Sequence, residues 1–141
     1  MDDLAPPESF ELFASESPFI HLVGPFFVSG LGGRRRVGTR VMEHHLNKGN
    51  VAHGGFLLTL ADVALSLGSF EPGDVPPKVT LSLNTEFAGP VRVGDWIEAE
   101  VDVIRIGRSL SFLRCDMTCD GERFASASGT FRNLSPPADG D

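Results

Sequence analysis

The sequence is short of positive charge, of cysteine and of long apolar runs, and each shortage argues against a class of protein. Twelve lysines and arginines stand against nineteen aspartates and glutamates, a formal net charge of −7. A nucleic-acid binder needs a basic footprint, so nucleic acid is not an expected partner. The two cysteines, Cys115 and Cys119, sit four apart in a strand-like run. Without CxxC spacing they are neither a redox pair nor half a zinc site, and plain buried or half-buried thiols are expected. No stretch of eighteen apolar residues occurs, so no membrane-spanning helix is expected. The N-terminal MDDLAPPESFEL is acidic and lacks the charged and apolar regions of a signal peptide. A cytoplasmic location is the simplest expectation.

What remains is enough for one folded unit. The chain has 141 residues, 41% of them hydrophobic, which suits a single domain over residues 1–141 with a real core. The acidic, proline-containing residues 1–7 and the SPPADGD end, residues 135–141, are expected to be mobile tails.

The stretch His53 to Phe70, HGGFLLTLADVALSLGSF, organises the rest. It is apolar nearly all the way round, has no proline and few β-branched residues, and so reads as a helix. A helix apolar on every side must be buried on every side. Asp62 sits in its middle, where a carboxylate is costly unless it is hydrogen-bonded, paired or neutralised.

Along the chain, Glu8 to Ala14 reads as a short helix broken by Ser17-Pro18. Phe19, Ile20, Leu22, Val23, Phe26 and Phe27 form an apolar patch, and residues 30–33 read as a turn. Arg34-Arg35-Arg36 is either a solvated strand end or a phosphate contact. Strands are expected over Val37–His44, Val79–Phe87, Trp96–Ile106, Ser109–Cys119 and Arg123–Phe131, with Asp120-Gly121 as a hairpin turn. Successive hairpins imply an antiparallel sheet, and such a sheet with one long apolar helix is an α+β arrangement. One sheet covers one side of a helix, so the other side is expected to meet a second subunit.

Two features of the helix bear on chemistry. Gly54 and Gly55 lie at its start, where backbone N–H groups lack intrahelical partners, the dipole is positive and the missing Cβ lets a ligand approach. That suits an oxyanion, although turn chemistry alone also explains two glycines. Asp62 comes eight residues after Gly54, about 12 Å of rise at 1.5 Å per residue. One chain cannot apply both to one carbonyl, so a shared site would pair Gly54 of one chain with Asp62 of another across a twofold axis. A structural carboxylate satisfied by a loop N–H is the other reading of Asp62. His44 and His45 are adjacent and would face opposite sides of a strand, so no metal site is expected.

Asn47, then His53-Gly54-Gly55, then Leu60-Ala61-Asp62 resembles the signature of hotdog-fold acyl-CoA thioesterases of the phenylacetic-acid-pathway (PaaI-like) type. The later pieces fit: Val79 to Asn84 with Phe87, Pro90-Val91 before Gly94-Asp95-Trp96, and Gly107-Arg108-Ser109-Leu110-Ser111-Phe112. The resemblance covers roughly residues 17–133. One departure is that Asn50 stands where the family often has glycine.

The resemblance implies a hotdog fold, an antiparallel sheet wrapped round one long helix, in a homodimer or a homotetramer of two dimers. It implies hydrolysis of an acyl-CoA, with coenzyme A as part of the substrate and no cofactor or metal. Asp62 then corresponds to the catalytic general base or nucleophile, and Gly54 to the N–H that polarises the thioester carbonyl. Asn47 corresponds to an amide near that carbonyl or the water, and Thr80 to a water-orienting hydroxyl. His53 fixes the loop beside Gly55 at the substrate-binding end. Arg108 is a candidate for a coenzyme A phosphate, against a plain hairpin corner. Two other readings on the same fold are a non-catalytic acyl-CoA sensor and a hydratase. The loop pattern of the hydratase is not found here. With eleven phenylalanines and no tyrosine, an acyl pocket would be apolar, which does not choose between aryl, arylacetyl and medium-chain groups.

Overall fold

The computed structural model describes residues 5–30 and 34–134. The expected tails therefore lie outside the described residues at 1–4 and 135–141, as does most of the expected 30–33 turn. Ala5, at the inner end of the first tail, accepts from Arg40 through its carbonyl at 2.8 Å.

One antiparallel sheet is built from β1 (Glu11–Leu12), β2 (Phe27–Ser29), β3 (Arg36–Arg40), β4 (Lys78–Phe87), β5 (Trp96–Ile106), β6 (Leu110–Cys119) and β7 (Glu122–Asn133). Its order is β1-β2-β3-β5-β6-β7-β4. Helix α1 (Pro18–Val23) precedes β2, and helix α2 (Gly54–Leu67) lies between β3 and β4. The four long strands follow from their alternation: Ile97, Ala99 and Val101 of β5 and Leu113, Cys115 and Met117 of β6 are buried, while the residues between them are not. Asp120 and Gly121 both take positive φ, 51° and 79°, as a tight hairpin needs.

Helix α2 lies across the inner face. Phe56, Leu57, Leu60, Ala61, Ala64, Leu65 and Leu67 are buried against the sheet. Small residues on β7 let the helix come close. A Cβ on Gly129 would stand 3.1 Å from the Leu65 side chain. The expectation of burial on every side does not hold within one chain, because Leu58, Thr59, Asp62, Val63 and Ser66 are only half-buried. A single sheet covers a single side.

Three local expectations are corrected. The helix expected over Glu8–Ala14 is absent; Glu11–Leu12 pairs with Phe27 and Val28, because Phe10 is drawn edge-on to Trp96 at 5.1 Å. Ser17-Pro18 starts a helix instead of breaking one. The Ser17 hydroxyl caps the Ile20 N–H and proline takes the first helical position, which demands no N–H. The first strand stops at Arg40, and Glu43–His45 forms a 3-10 turn, so His44 and His45 do not face opposite sides; their rings are 4.0 Å apart.

The arginine run is spent on structure. Arg35 is 4% exposed and donates to Glu71 Oε2 at 2.7 Å and to the Phe70 carbonyl at 3.1 Å, tying the end of α2 to the β2–β3 edge. Buried and already donating to both, its guanidinium is not presented to a phosphate. Arg34 and Arg36 meet Glu100 and Glu98 on the outer face at 3.4 and 3.3 Å, contacts worth about 0–1 kcal/mol each. Neither cysteine is poised as a thiolate: burial pushes the Cys115 thiol up to about 12 and the Cys119 thiol up to about 11.

Candidate active site

The start of α2 is held by backbone bonds from three directions. The Asn47 N–H meets the Val51 carbonyl at 2.8 Å, the Ala52 N–H meets the Val91 carbonyl at 2.9 Å, and the His53 N–H meets the His45 carbonyl at 2.8 Å. Within the loop, Asn47 Oδ1 accepts from the Gly49 N–H at 2.8 Å and the Val51 N–H at 3.3 Å. Asn50 takes φ 63°, the left-handed region that glycine would supply. The departure at position 50 therefore leaves that left-handed turn in place.

His53 is the N-cap of α2. Its backbone is extended (φ −64°, ψ 136°) and its Nδ1 accepts the Gly55 N–H at 2.8 Å. The Phe56 and Leu57 N–H groups both turn to the His53 carbonyl, at 2.9 and 3.1 Å. Of the four N–H groups in the first turn, Gly54 alone has no acceptor among the described residues. A Cβ on Gly55 would come within 3.1 Å of His53 Nδ1, so glycine there makes room for the cap. A Cβ on Gly54 would meet only the Phe87 ring, at 3.7 Å.

Two turns further along, Asp62 looks out from the half-buried side of the helix. Its Oδ1 accepts a hydrogen bond from Thr80 Oγ1 at 2.8 Å. A bulge in β4 between Thr80 and Ser82 sets this up. Thr80 pairs with buried Phe131, and past the bulge Leu83 and Phe87 pair with Gly129 and Ala125, so all three face the helix. Lys78, on the same face, donates to the Ser66 carbonyl at 2.8 Å near the end of α2, and burial lowers its pKa.

A single chain thus holds two half-sites. Gly54, Gly55 and His53 gather with Phe87 at the helix start, while Asp62 and Thr80 sit two turns away. Arg108 joins neither. It is exposed at the β5–β6 corner, where Arg108, Ser109, Arg132, Asn133 and Leu134 line a hollow of about 320 Å³. The corner is rigid, because Asn133 Nδ2 donates to the Gly107 carbonyl at 2.8 Å and Asn133 Oδ1 accepts from Ser111 Oγ at 2.9 Å. It lies at the Thr80 end of the sheet, since Thr80 and Ser111 both pair with Phe131. Among the described residues neither Arg108 nor Arg132 has a carboxylate partner.

The sequence pattern of the thioesterase superfamily matches residues 49–125, more than half of the chain and the whole of α2 with β4 to β6. The chain belongs to the thioesterase superfamily. It is 39% identical over 127 residues to a candidate esterase of Pseudomonas aeruginosa, covering 89% of this chain and 95% of that one. It is 28% identical over 91 residues to human acyl-coenzyme A thioesterase 13, covering 64% of this chain and 65% of that one. A mutant of the phenylacetic acid degradation protein PaaI from Thermus thermophilus superposes with a TM-score of 0.71 at 29% identity, covering 84% of this chain and all of that one. The hotdog fold expected from the motifs is therefore the fold observed.

The contact of the Phe87 ring with the Gly54 position was not among the expectations. Phe87 was visible as the last apolar residue of an alternating strand, but the bulge decides which face it takes. Among the described residues no helix is long and apolar enough to cross a membrane.

Proposed function

We propose that the protein hydrolyses an acyl-CoA thioester to a carboxylic acid and coenzyme A, at two equivalent sites shared across a dimer. The observation that carries this is the pairing on α2 of a free, dipole-facing Gly54 N–H with a Thr80-bonded Asp62 carboxylate. The Gly54 N–H donates to the thioester oxygen and stabilises the negative charge that grows there. Asp62 takes a proton from water, and the hydroxide attacks the carbonyl carbon. The C–S bond then breaks, and the coenzyme A thiolate leaves and is protonated. If Asp62 is instead the nucleophile, its oxygen attacks the carbonyl, thiolate leaves, and water cleaves the resulting anhydride. Thr80 fixes the carboxylate, and the Asn47 amide nitrogen is the group on its loop left to meet the substrate. Coenzyme A is part of the substrate, and the reaction calls on no metal.

The dimer rests on β4. It is a ten-residue edge strand paired, among the described residues, only with β7, and Val79, Leu81 and Phe87 on it are 43%, 55% and 47% exposed. A long open edge of this kind is a template for pairing. Pairing with the same strand of a second copy would continue the sheet and lay the half-buried side of α2 against its partner. Gly54 of one chain then reaches Asp62 of the other, and a dimer of dimers is the expected larger assembly. Light scattering should give a dimer or tetramer at micromolar concentration, and a stable, active monomer would overturn the shared site.

Arg108 and Arg132 suit the phosphates of coenzyme A. Arg108→Ala is expected to raise KM for an acyl-CoA with kcat little changed, the pattern of lost uniform binding. A short thioester without the nucleotide should be nearly indifferent to the change. Equal losses on both substrates would return Arg108 to a structural corner. The hydrolase itself is tested by thiol release from short, medium, long and aromatic acyl-CoAs; no release from any of them would leave a binding protein.

A further inference from the structure

His45 has no role in the chemistry above, yet it contacts the end of α1, its own turn, the residue before Gly54 and the first turn of α2. It is 2% exposed. Its Nδ1 accepts the Met42 N–H at 2.9 Å, so the single ring proton sits on Nε2, which donates to the Val23 carbonyl at 2.6 Å. The ring stacks on Phe56 with centroids 3.6 Å apart and planes at 11°, and Phe56 stacks in turn on Phe26. The His45 carbonyl holds the His53 N–H. Gly54 is thus bracketed. His53 before it and Phe56 after it are both fixed by one residue, and Asn47 follows that residue by two.

Resting on the hydrolase reading, we propose that neutral His45 is a positioning residue for the carbonyl site, aiming the Gly54 N–H, and that a second proton on its ring releases that aim. A doubly protonated ring carries a donor at each nitrogen. Nδ1–H would then face the Met42 N–H, donor against donor, and one must turn away. The 42–45 turn is the element that gives. It carries the His45 carbonyl that holds His53, and the same ring carries the stack on Phe56.

The groups facing the ring set the direction of its titration. The Val23 and Gly24 carbonyls come from the end of α1 and Phe56 from α2. His44, on the same turn, is the titratable neighbour, and among the described residues no carboxylate pairs with the ring. Burial, the largest effect, lowers the His45 pKa below its ordinary 6.5; the Val23 carbonyl opposes it and the His44 charge adds to it. A histidine depressed in the folded state stabilises the fold fully above the ordinary value. That stability is lost as pH falls below it through the folded value. The site is therefore set at neutral pH and loosens in acid.

Two variants and one spectrum test this on the full-length protein. His45→Phe keeps the stack but loses both hydrogen bonds. His45→Asn places an oxygen where Nδ1 was, so it can accept from Met42, and it does not titrate. His45→Phe is expected to lower kcat by about 10–100-fold with KM little moved, because a misaimed group fails in the transition state and not in ground-state binding. His45→Asn should recover most of that loss and shift the acid fall in kcat expected of the wild type below pH 6.5 to lower pH, leaving only the limb that the general base itself brings. In nitrogen-15 spectra the wild-type Gly54 amide should shift along the His45 titration, and in His45→Asn it should not. A folded His45→Phe with nearly wild-type kcat overturns the proposal. So does an acid limb whose midpoint is the same in His45→Asn as in the wild type, or a Gly54 amide blind to His45. If His45→Phe does not fold, the asparagine variant and the wild-type spectrum decide. A Gly54 amide that follows His45 in a protein releasing no thiol from any acyl-CoA sinks the hydrolase reading instead.

Discussion

Asp62→Asn is expected to lower kcat by about 10²–10⁴-fold, the range for losing a positioned general base, with the fold and the oligomer intact. Asparagine is nearly isosteric with aspartate, and its Oδ1 can still accept from Thr80 Oγ1 across the 2.8 Å contact. What it loses is the capacity to take a proton or attack a carbonyl. The side chain is half-buried on the open side of α2, so the change creates no cavity and strands no buried partner. The melting temperature should therefore shift by the equivalent of about 1 kcal/mol or less, the net worth of an ordinary hydrogen bond. Single-turnover hydrolysis and a thermal melt are the two measurements. A near wild-type kcat would remove Asp62 from the chemistry, and a collapsed fold would make it a structural carboxylate. Turnover in oxygen-18 water separates base from nucleophile, since label entering the Asp62 carboxylate marks an anhydride intermediate.

The second large effect is expected from Gly54→Pro, which deletes one N–H and little else. Proline is at home in the first helical position. The residue before it must be extended, and His53 already is, at φ −64° and ψ 136°. The new ring atoms would lie toward Phe87, whose ring is 3.7 Å from the Cβ position, an ordinary contact. Loss of a single oxyanion donor lowers kcat by about 10²–10³-fold. Gly54→Ala, which keeps the N–H, should lose far less. The two inactive chains also test the shared site together. If Gly54 of one chain serves Asp62 of the other, a mixed dimer of Gly54→Pro and Asp62→Asn has one doubly defective site and one intact site. Random mixing makes half the dimers mixed, so about a quarter of wild-type activity should return. No recovery on mixing would place both groups in one chain's site.

The candidate site was legible in part, and residue by residue the reasons differ. Gly54 and Asp62 were legible because a helix has a fixed rise, so eight residues of spacing already separate them too far for one chain. The role of His53 was legible only as a loop residue. That its Nδ1 consumes the Gly55 N–H, leaving Gly54 as the free donor, depends on a rotamer no spacing encodes. The Asp62–Thr80 contact depends on a bulge, an extra residue that shifts one strand's faces and leaves no periodic trace. Ser17-Pro18 was misread although its signal was there, since a cap followed by proline opens a helix as readily as it interrupts one.

Sequence alone determined the long helix, the four long strands, the β5–β6 and β6–β7 hairpins, and the antiparallel sheet around the helix; the hairpin expected between β4 and β5 does not form, because β4 crosses to the far edge and pairs with β7. Those features repeat: apolar spacing at 3.6 or 2 residues and turn residues with positive φ are local properties that a chain carries before it folds. Only the tertiary structure decided the rest. Strand β1 exists because Phe10 meets Trp96, distant in sequence, and His45 is buried in a turn and not on a strand because Met42, Val23 and Phe56 converge on its ring. Arg35 left the surface because Glu71 and the Phe70 carbonyl were within its reach. Such contacts join residues far apart along the chain, and their free energy depends on where the backbone has already been placed.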